Sequence, residues 1–189
     1  MITPRSASAA IFAGGKSTRF GSPKINAQVD GVEFGLRIIT ALREAEILTI
    51  KLIGGDHNDA KRWNIGYVAD EFIDAGPVGA LVSALRVCTS EALLILPCDV
   101  PYIDHKTCSE LLSFNDEFDV NVAFTDSAQW LCSSWRVSLL ETIEEEFEKG
   151  VTAIHVLADS LRVNFVTVAG LALQNINEPS DLVRTIIVE

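Results

Sequence analysis

An α/β fold, one mostly parallel sheet flanked by helices, is what this chain of 189 residues predicts, and three observations carry it. Short runs rich in Ile, Leu, Val and Ala at residues 9–12, 48–53, 65–68 and 93–96 alternate with segments of helical spacing, as in parallel strands joined by crossover helices. The first run passes into Gly14-Gly15 and the second into Gly54-Gly55-Asp56, so two glycine turns share one end of the sheet if their strands are parallel. The most apolar run, Leu93-Leu94-Ile95-Leu96, is the expected central strand. It ends in Pro97-Cys98-Asp99, which puts a carboxylate at the edge where open α/β sheets bind ligands.

The loop after the first strand reads Ala13-Gly14-Gly15-Lys16-Ser17-Thr18-Arg19-Phe20-Gly21-Ser22-Pro23-Lys24. Its glycines bring backbone N–H dipoles to close range, and Lys16, Arg19 and Lys24 add full positive charge, a combination that suits phosphate oxygens. A Walker A loop is excluded, because Ala10 stands where its first glycine must be and the apolar run continues through Ile11 and Phe12. The Gly-x-Gly-x-x-Gly dinucleotide pattern is absent as well. A bare Gly-Gly-Lys turn is ordinarily a loop with solvated cations, but the preceding strand and the three spaced cations point to a polyphosphate ligand.

The remaining elements follow in order. Residues 25–29 form a short apolar stretch, and residues 32–45 place Phe34, Leu36, Ile38, Ile39, Leu42 and Ala45 on helical spacing. Residues 59–63 predict a short helix, and the strand at 65–68 stops before Asp70. Gly76 lets the chain turn, and Pro77 is placed as a first helical residue. Asp104 caps a helix over 104–112, and residues 119–125 and 129–135 predict a strand pair lining a second substrate's pocket. Residues 137–149 form an amphipathic helix with Glu141 and Glu144 to Glu146 on its solvated face, ended by Gly150. A helix over 151–157, a strand over 161–168 and a strand, turn and closing helix over 173–182 complete the chain. No repeat, low-complexity tract or long linker interrupts it, so residues 1–189 are read as a single domain.

Bulk properties narrow the function. A 48% hydrophobic composition is enough for one core that buries about 70% of the unfolded surface. The balance of 15 Lys and Arg against 26 Asp and Glu, a net charge of -11, argues against a nucleic-acid or anionic-membrane surface. Three of those cations fall between residues 16 and 24, a local patch suited to a small polyphosphate. Cys88, Cys98, Cys108 and Cys132 lack zinc-site spacing, and His57, His105 and His155 are scattered. No signal peptide precedes the first strand and no apolar run approaches the ~20 residues of a membrane span, so a reduced, cytoplasmic setting is expected. A lone aspartate at a strand end is often a turn former, yet Asp99 is read as a metal ligand because a neighbouring polyphosphate needs a cation. Trp130 and Trp135 either stack on a planar substrate or fill the core.

Four blocks, in order, resemble the molybdenum cofactor guanylyltransferase family: Phe12-Ala13-Gly14-Gly15 through Lys24, Asp70 with Gly76-Pro77, Cys98-Asp99-Val100-Pro101-Tyr102, and Asn175-x-Asn177-x-Pro179. The resemblance implies the three-layer, Rossmann-like nucleotidyltransferase fold and a Mg²⁺-dependent guanylyltransferase. That enzyme would join the guanylyl part of GTP to a molybdopterin phosphate and release pyrophosphate. It implies that Phe12, Ala13 and Gly14 lie against the nucleotide through their backbone, that Gly15, Lys16, Arg19 and Lys24 surround the phosphates, and that Asp70 fixes the nucleoside end. Asp99 would hold the metal, Lys24, Arg19 and Asp99 would be catalytic, and Asn175 and Asn177 would lie near the reaction centre. The implied partners are GTP and molybdopterin, with no nucleic acid or membrane, and with transient contact to other proteins of molybdenum cofactor biosynthesis.

The chain departs from the family at Phe12, where leucine is usual, at Ala80, where glycine is frequent, and at Gly54-Gly55, which removes a side-chain contact to the base that an asparagine often supplies. Two other readings stand beside this one. One is a cytidylyltransferase of the same fold acting on molybdopterin or on a sugar or isoprenoid phosphate. Such relatives more often carry Ala-Ala-Gly where this chain has Ala13-Gly14-Gly15. The other is a nucleotide-binding module without catalysis.

Overall fold

The computed structural model describes residues 6–14, 23–72, 75–176 and 181. Strand β1 (Ala7–Phe12) is buried along nearly all its length, as a strand covered on both faces must be. It lies between β4 (Thr49–Ile53) and β6 (Ala92–Pro97) and runs parallel to both. β5 (Gly66–Val68) continues the sheet beyond β4, again parallel. On the far side of β6 come β8 (Ala128–Arg136), β7 (Val120–Phe124) and β9 (Val163–Thr167), completing a seven-stranded sheet of order β5-β4-β1-β6-β8-β7-β9. β8 is antiparallel to β6 and β7, while β9 is parallel to β7, so the other six strands of this sheet share one direction.

Alternation along β1 divides the core in two. Ile11 faces a layer with Leu52 and Leu94 of the neighbouring strands and with Ile38, Ile39 and Leu42 of α1 (Phe34–Glu44), Ala60 of α2 (His57–Arg62) and Leu111 of α4 (His105–Leu111). Ala10 and Phe12 face the other layer with Ile95 of β6 and with Val82 and Leu85 of α3 (Gly76–Arg86), Ile143 of α5 (Leu140–Glu148) and Leu157 of α6 (Ile154–Ala158). Helices on both faces of a mostly parallel sheet make the three-layer, Rossmann-like architecture expected from the sequence.

Several boundaries differ for identifiable reasons. The helix expected from residue 32 starts at Phe34, because Val29 and Val32 pair across a small hairpin of β2 (Gln28–Val29) and β3 (Val32–Glu33). Its two turn residues, Asp30 and Gly31, have φ of 51° and 74°, the Asp-Gly signature of a tight hairpin turn. α2 begins at His57 rather than 59, since the Asp56 carboxylate accepts the Asn58 N–H and caps it. α6 begins at Ile154 rather than 151, because the Thr152 carbonyl is turned toward α3 and accepts the Val78 N–H at 3.3 Å. A 3-10 turn spans Gly170–Leu173 and residues 174–176 are irregular where a strand is expected from 173; of the expected turn and closing helix, residues 177–180 and 182 lie outside the described residues.

Close packing between α1 and α2 sets one sharp limit. A Cβ on Gly35 would stand 2.6 Å from Trp63 Cη2, and the ring is held there by its Nε1 donating to Glu33 Oε2 at 3.0 Å. Alanine's helix propensity favours Gly35→Ala by about 1 kcal/mol, but displacing a pinned indole costs about 1–3 kcal/mol, so the substitution is expected to destabilise. A urea titration should show a lower midpoint at unchanged slope.

Candidate active site

Four loops meet at one edge because their strands point the same way. The Ala13 N–H donates to the Ile53 carbonyl at 3.0 Å, the Cys98 N–H to the Phe12 carbonyl at 3.2 Å and the Gly54 N–H to the Val68 carbonyl at 2.9 Å. Each bond extends a parallel ladder past the strand end. Gly54 and Gly55, at φ of 68° and 71°, bend their backbone against residues 13 and 14. A Cβ on Gly54 would lie 3.4 Å from Gly14 Cα, and one on Gly55 would lie 2.9 Å from the Ala13 Cβ. Asp70 completes the group: a Cβ on Gly14 would come within 3.5 Å of Asp70 Oδ2, while Asp70 Oδ1 accepts the Phe72 N–H at 3.1 Å. The Phe12 side chain is buried in the core beneath, and Gly14 is exposed.

Lys24 opens a 3-10 turn, Lys24–Asn26, whose next residue, Ile25, is buried in the core. Asn26 is fixed from both sides, donating to Asp59 Oδ2 at 2.8 Å and accepting from Arg62 Nη2 at 3.1 Å, while Arg62 in turn grips Glu33 at 2.6 and 2.7 Å. With the turn held, Lys24 Nζ donates to Asp99 Oδ2 at 2.8 Å across a sequence separation of 75. The two side chains are only 13% and 20% exposed. Asp99 Oδ1 is buried and accepts no hydrogen bond among the described residues. The Asp99 carbonyl accepts the Ile176 N–H at 3.0 Å, and Ile176 is fully buried with Val29 and Phe34, against Ala27 and Tyr102.

A cavity of about 570 Å³ adjoins this pair, lined by Thr125, Asp126 and Gln129 at the β7–β8 turn and by Val168, Leu173 and Asn175. Asn175 belongs to its wall and the next residue holds the Asp99 carbonyl, so ion pair and cavity are neighbours. The Thr125 hydroxyl beside Asp126 holds that carboxyl below the usual carboxylate range. Trp135 fills the core, fully buried, with its Nε1 donating to Ser133 Oγ at 2.9 Å. Trp130 packs edge-on against Phe165.

Of the residues singled out in the sequence, Ala13, Gly14 and Asp70 come together beside the end of β1, Lys24 and Asp99 come together beside the end of β6, and exposed Asn175 lines the cavity. Gly15, Lys16, Arg19 and Asn177 lie outside the described residues. Sequence inspection passed over the brace of Glu33, Asp59 and Arg62 behind the Lys24 turn, and over Asp126. Glu33, Asp59 and Arg62 carry no motif, whereas the polar Thr125-Asp126-Ser127 between two strand patterns was a visible turn signal.

Glycine loops, a carboxylate and a lysine at the carboxyl edge of a mostly parallel sheet define a nucleotidyltransferase of the Rossmann-like class. The chain belongs to the MobA-like NTP transferase family, whose domain model matches residues 9–163. It is 28% identical over 182 residues to an Aquifex aeolicus protein named "Probable molybdenum cofactor guanylyltransferase", covering 95% of this chain and 90% of that one. Its fold is similar to molybdopterin-guanine dinucleotide biosynthesis protein A from Archaeoglobus fulgidus, at 20% identity and a TM-score of 0.73 over 94% of this chain and 95% of the other. The same fold occurs in 4-diphosphocytidyl-2C-methyl-D-erythritol synthase from Anaerococcus prevotii, at 13% identity and a TM-score of 0.75, covering 95% of each chain. Among the described residues no helix is long and apolar enough to cross a membrane.

The thiol next to Asp99 is not poised as a nucleophile. Burial, with the Asp99 charge beside it, pushes Cys98 up to about 12; burial does the same to Cys108, and raises Cys132 as well. The stability these protonated thiols contribute is complete below the ordinary thiol value of 9.0 and is lost as pH rises from there toward 12. In native protein at pH 8, Ellman's reagent is expected to modify Cys98 slowly, about tenfold faster per added pH unit, and all four cysteines rapidly in guanidinium.

Proposed function

We propose that the chain transfers GMP from GTP to the phosphate of molybdopterin and releases pyrophosphate. The observation that carries this reading is the Lys24–Asp99 ion pair, standing between a glycine-and-aspartate group on one side and a cavity on the other. Two ligands can meet there: a nucleotide against Ala13, Gly14 and Asp70, and an acceptor in the cavity beside Asn175.

Attack of a phosphate oxygen on the α-phosphorus requires no protein nucleophile. What the protein must supply is alignment of two anions and stabilisation of charge on the leaving pyrophosphate. The backbone of Phe12, Ala13 and Gly14 holds the nucleotide, Asp70 its nucleoside end, and Gly15, Lys16 and Arg19 its phosphates. Lys24, positioned by Ile25 and Asn26, exchanges its Asp99 contact for phosphate oxygens. Asn175 and Asn177 orient the acceptor.

The donor chemistry fits Mg²⁺. A buried carboxylate oxygen that accepts no hydrogen bond among the described residues, Asp99 Oδ1, is the hard ligand this ion prefers, and no three metal-binding side chains gather among those residues, so phosphate and water oxygens would complete the shell. When bound, the ion would offset phosphate charge. The chain would act in the cytoplasm on small molecules, without nucleic acid or membrane, with other proteins of molybdenum cofactor biosynthesis as transient contacts. An inactive binding module would not need a cation and a carboxylate held together at this edge.

Lys24→Ala and Asp99→Asn are each expected to lower turnover about a hundredfold or more, the loss seen when one preorganised charge partner is removed. Pyrophosphate release from GTP with molybdopterin as acceptor, compared with CTP, measures both role and base preference. Near-normal turnover in a folded variant removes that residue from the mechanism, and a preference for CTP replaces the guanylyl assignment with a cytidylyl one.

A further inference from the structure

Asp70 owes its orientation to contacts made on the face of the sheet opposite the Lys24 brace. Its Oδ1 accepts the Phe72 N–H at 3.1 Å, a side-chain turn that leaves Oδ2 toward Gly14. Where the carboxylate points is therefore set by where the backbone of Phe72 lies. That backbone is held through its ring, which packs with the layer of α3 and α5. Phe72 meets Phe147 edge-on, centroids 4.8 Å apart at 69°, and the Arg86 guanidinium lies over it with Cζ 5.4 Å from the ring centroid. Gly79 makes the room, since a Cβ there would stand 2.9 Å from the Phe72 Cβ and 3.4 Å from Phe147 Cζ. Arg86 is itself anchored, Nε donating to Glu144 Oε1 at 2.6 Å and Nη1 to Glu71 Oε2 at 3.2 Å. The Phe72 carbonyl accepts the Ala75 N–H at 3.0 Å, which ties the same residue to the start of α3.

The ion pairs of Arg86 are partly exposed and add little to stability, so their effect is geometric: they fix the guanidinium against the ring. We infer that Phe72, seated between Phe147 and Arg86, is a positioning residue that aims the Asp70 carboxylate at the nucleoside end of the bound nucleotide. This role rests on the nucleotide placement proposed above. Asp70 is a half-buried side chain on the loop that follows the short strand β5, and ordering it at the moment of binding would cost affinity. A turn already locked to a packed ring removes that cost. The phosphates are assigned to other residues, Gly15, Lys16, Arg19 and Lys24. Loosening Phe72 therefore weakens the hold on the nucleoside and spares the hold on the phosphate chain.

The test titrates GTP, CTP and inorganic tripolyphosphate calorimetrically into wild-type protein, Asp70→Ala, Phe72→Ala, Arg86→Gln and the double variants that combine Asp70→Ala with each of the other two. Asp70→Ala and Phe72→Ala are each expected to weaken the preferred nucleotide about tenfold and Arg86→Gln about threefold, all with tripolyphosphate affinity unchanged. Each double variant is expected to bind no more weakly than Asp70→Ala, because a residue that acts through Asp70 has nothing left to position once the carboxylate is gone. Arg86 is exposed, so Arg86→Gln is expected to fold even where Phe72→Ala does not, and it carries the same comparison. Unchanged nucleotide affinity in Asp70→Ala or in the folded Phe72 and Arg86 variants, losses that multiply in a double variant, an equal loss of tripolyphosphate affinity, or no nucleotide binding by wild type overturns the inference. Its failure is separable from that of the transfer reaction. Protein that forms pyrophosphate from GTP and molybdopterin but binds GTP equally with and without Phe72 keeps the reaction and loses this role. Protein that binds CTP through Phe72 and Asp70 and turns over only CTP keeps this role and loses the guanylyl assignment.

Discussion

The Lys24–Asp99 ion pair joins two parts of the chain that reach the sheet edge by unrelated routes. Asp99 arrives on the loop after β6, at the middle of the sheet, and Lys24 on a turn wedged beside α1. An exposed pair of this kind contributes about 0–1 kcal/mol, but these side chains are 13% and 20% exposed, so neither charge is well solvated without the other. Their separation of 2.8 Å thus constrains everything around them: the brace behind Asn26, the seat of Ile176 and the cavity wall that begins one residue earlier. In the proposed reaction the same dependence would become useful: Asp99 would hold the metal ion and Lys24 would face the phosphate oxygens.

The sheet was the most legible part of the sequence. β1, β4 and β6 are apolar runs with glycine or proline punctuation, and strands covered on both faces have little freedom to be anything else. The glycine loop and Asp99 could be placed at one edge because strand direction alone decides which end of a strand a loop occupies. What stayed hidden depends on contacts between distant residues. The α6 start is displaced by a carbonyl that serves α3, and the expected strand after residue 173 yields to a 3-10 turn that leads into Ile176 and its place under Tyr102. Neither leaves a trace in local spacing.

The Asp30-Gly31 turn is different, because its signal was present and was outweighed by the helical spacing that follows. The hairpin has a structural purpose: it ends at Glu33, which holds both Arg62 and Trp63 and so couples the start of α1 to the turn bearing Lys24. A charge network without a motif can position a site residue as firmly as a motif does, and it is invisible until the chain is folded.

The bond from the Ile176 N–H to the Asp99 carbonyl also bears on biosynthesis. A ribosome adds residues from the amino end, so the glycine loop, β1, β4 and β6 can all emerge and pair while the segment that secures the Asp99 loop is still unmade. Strand pairing can therefore precede completion of the site, and a nascent chain that has already paired these strands gains the bond from Ile176 to the Asp99 carbonyl only once residue 176 has cleared the exit tunnel.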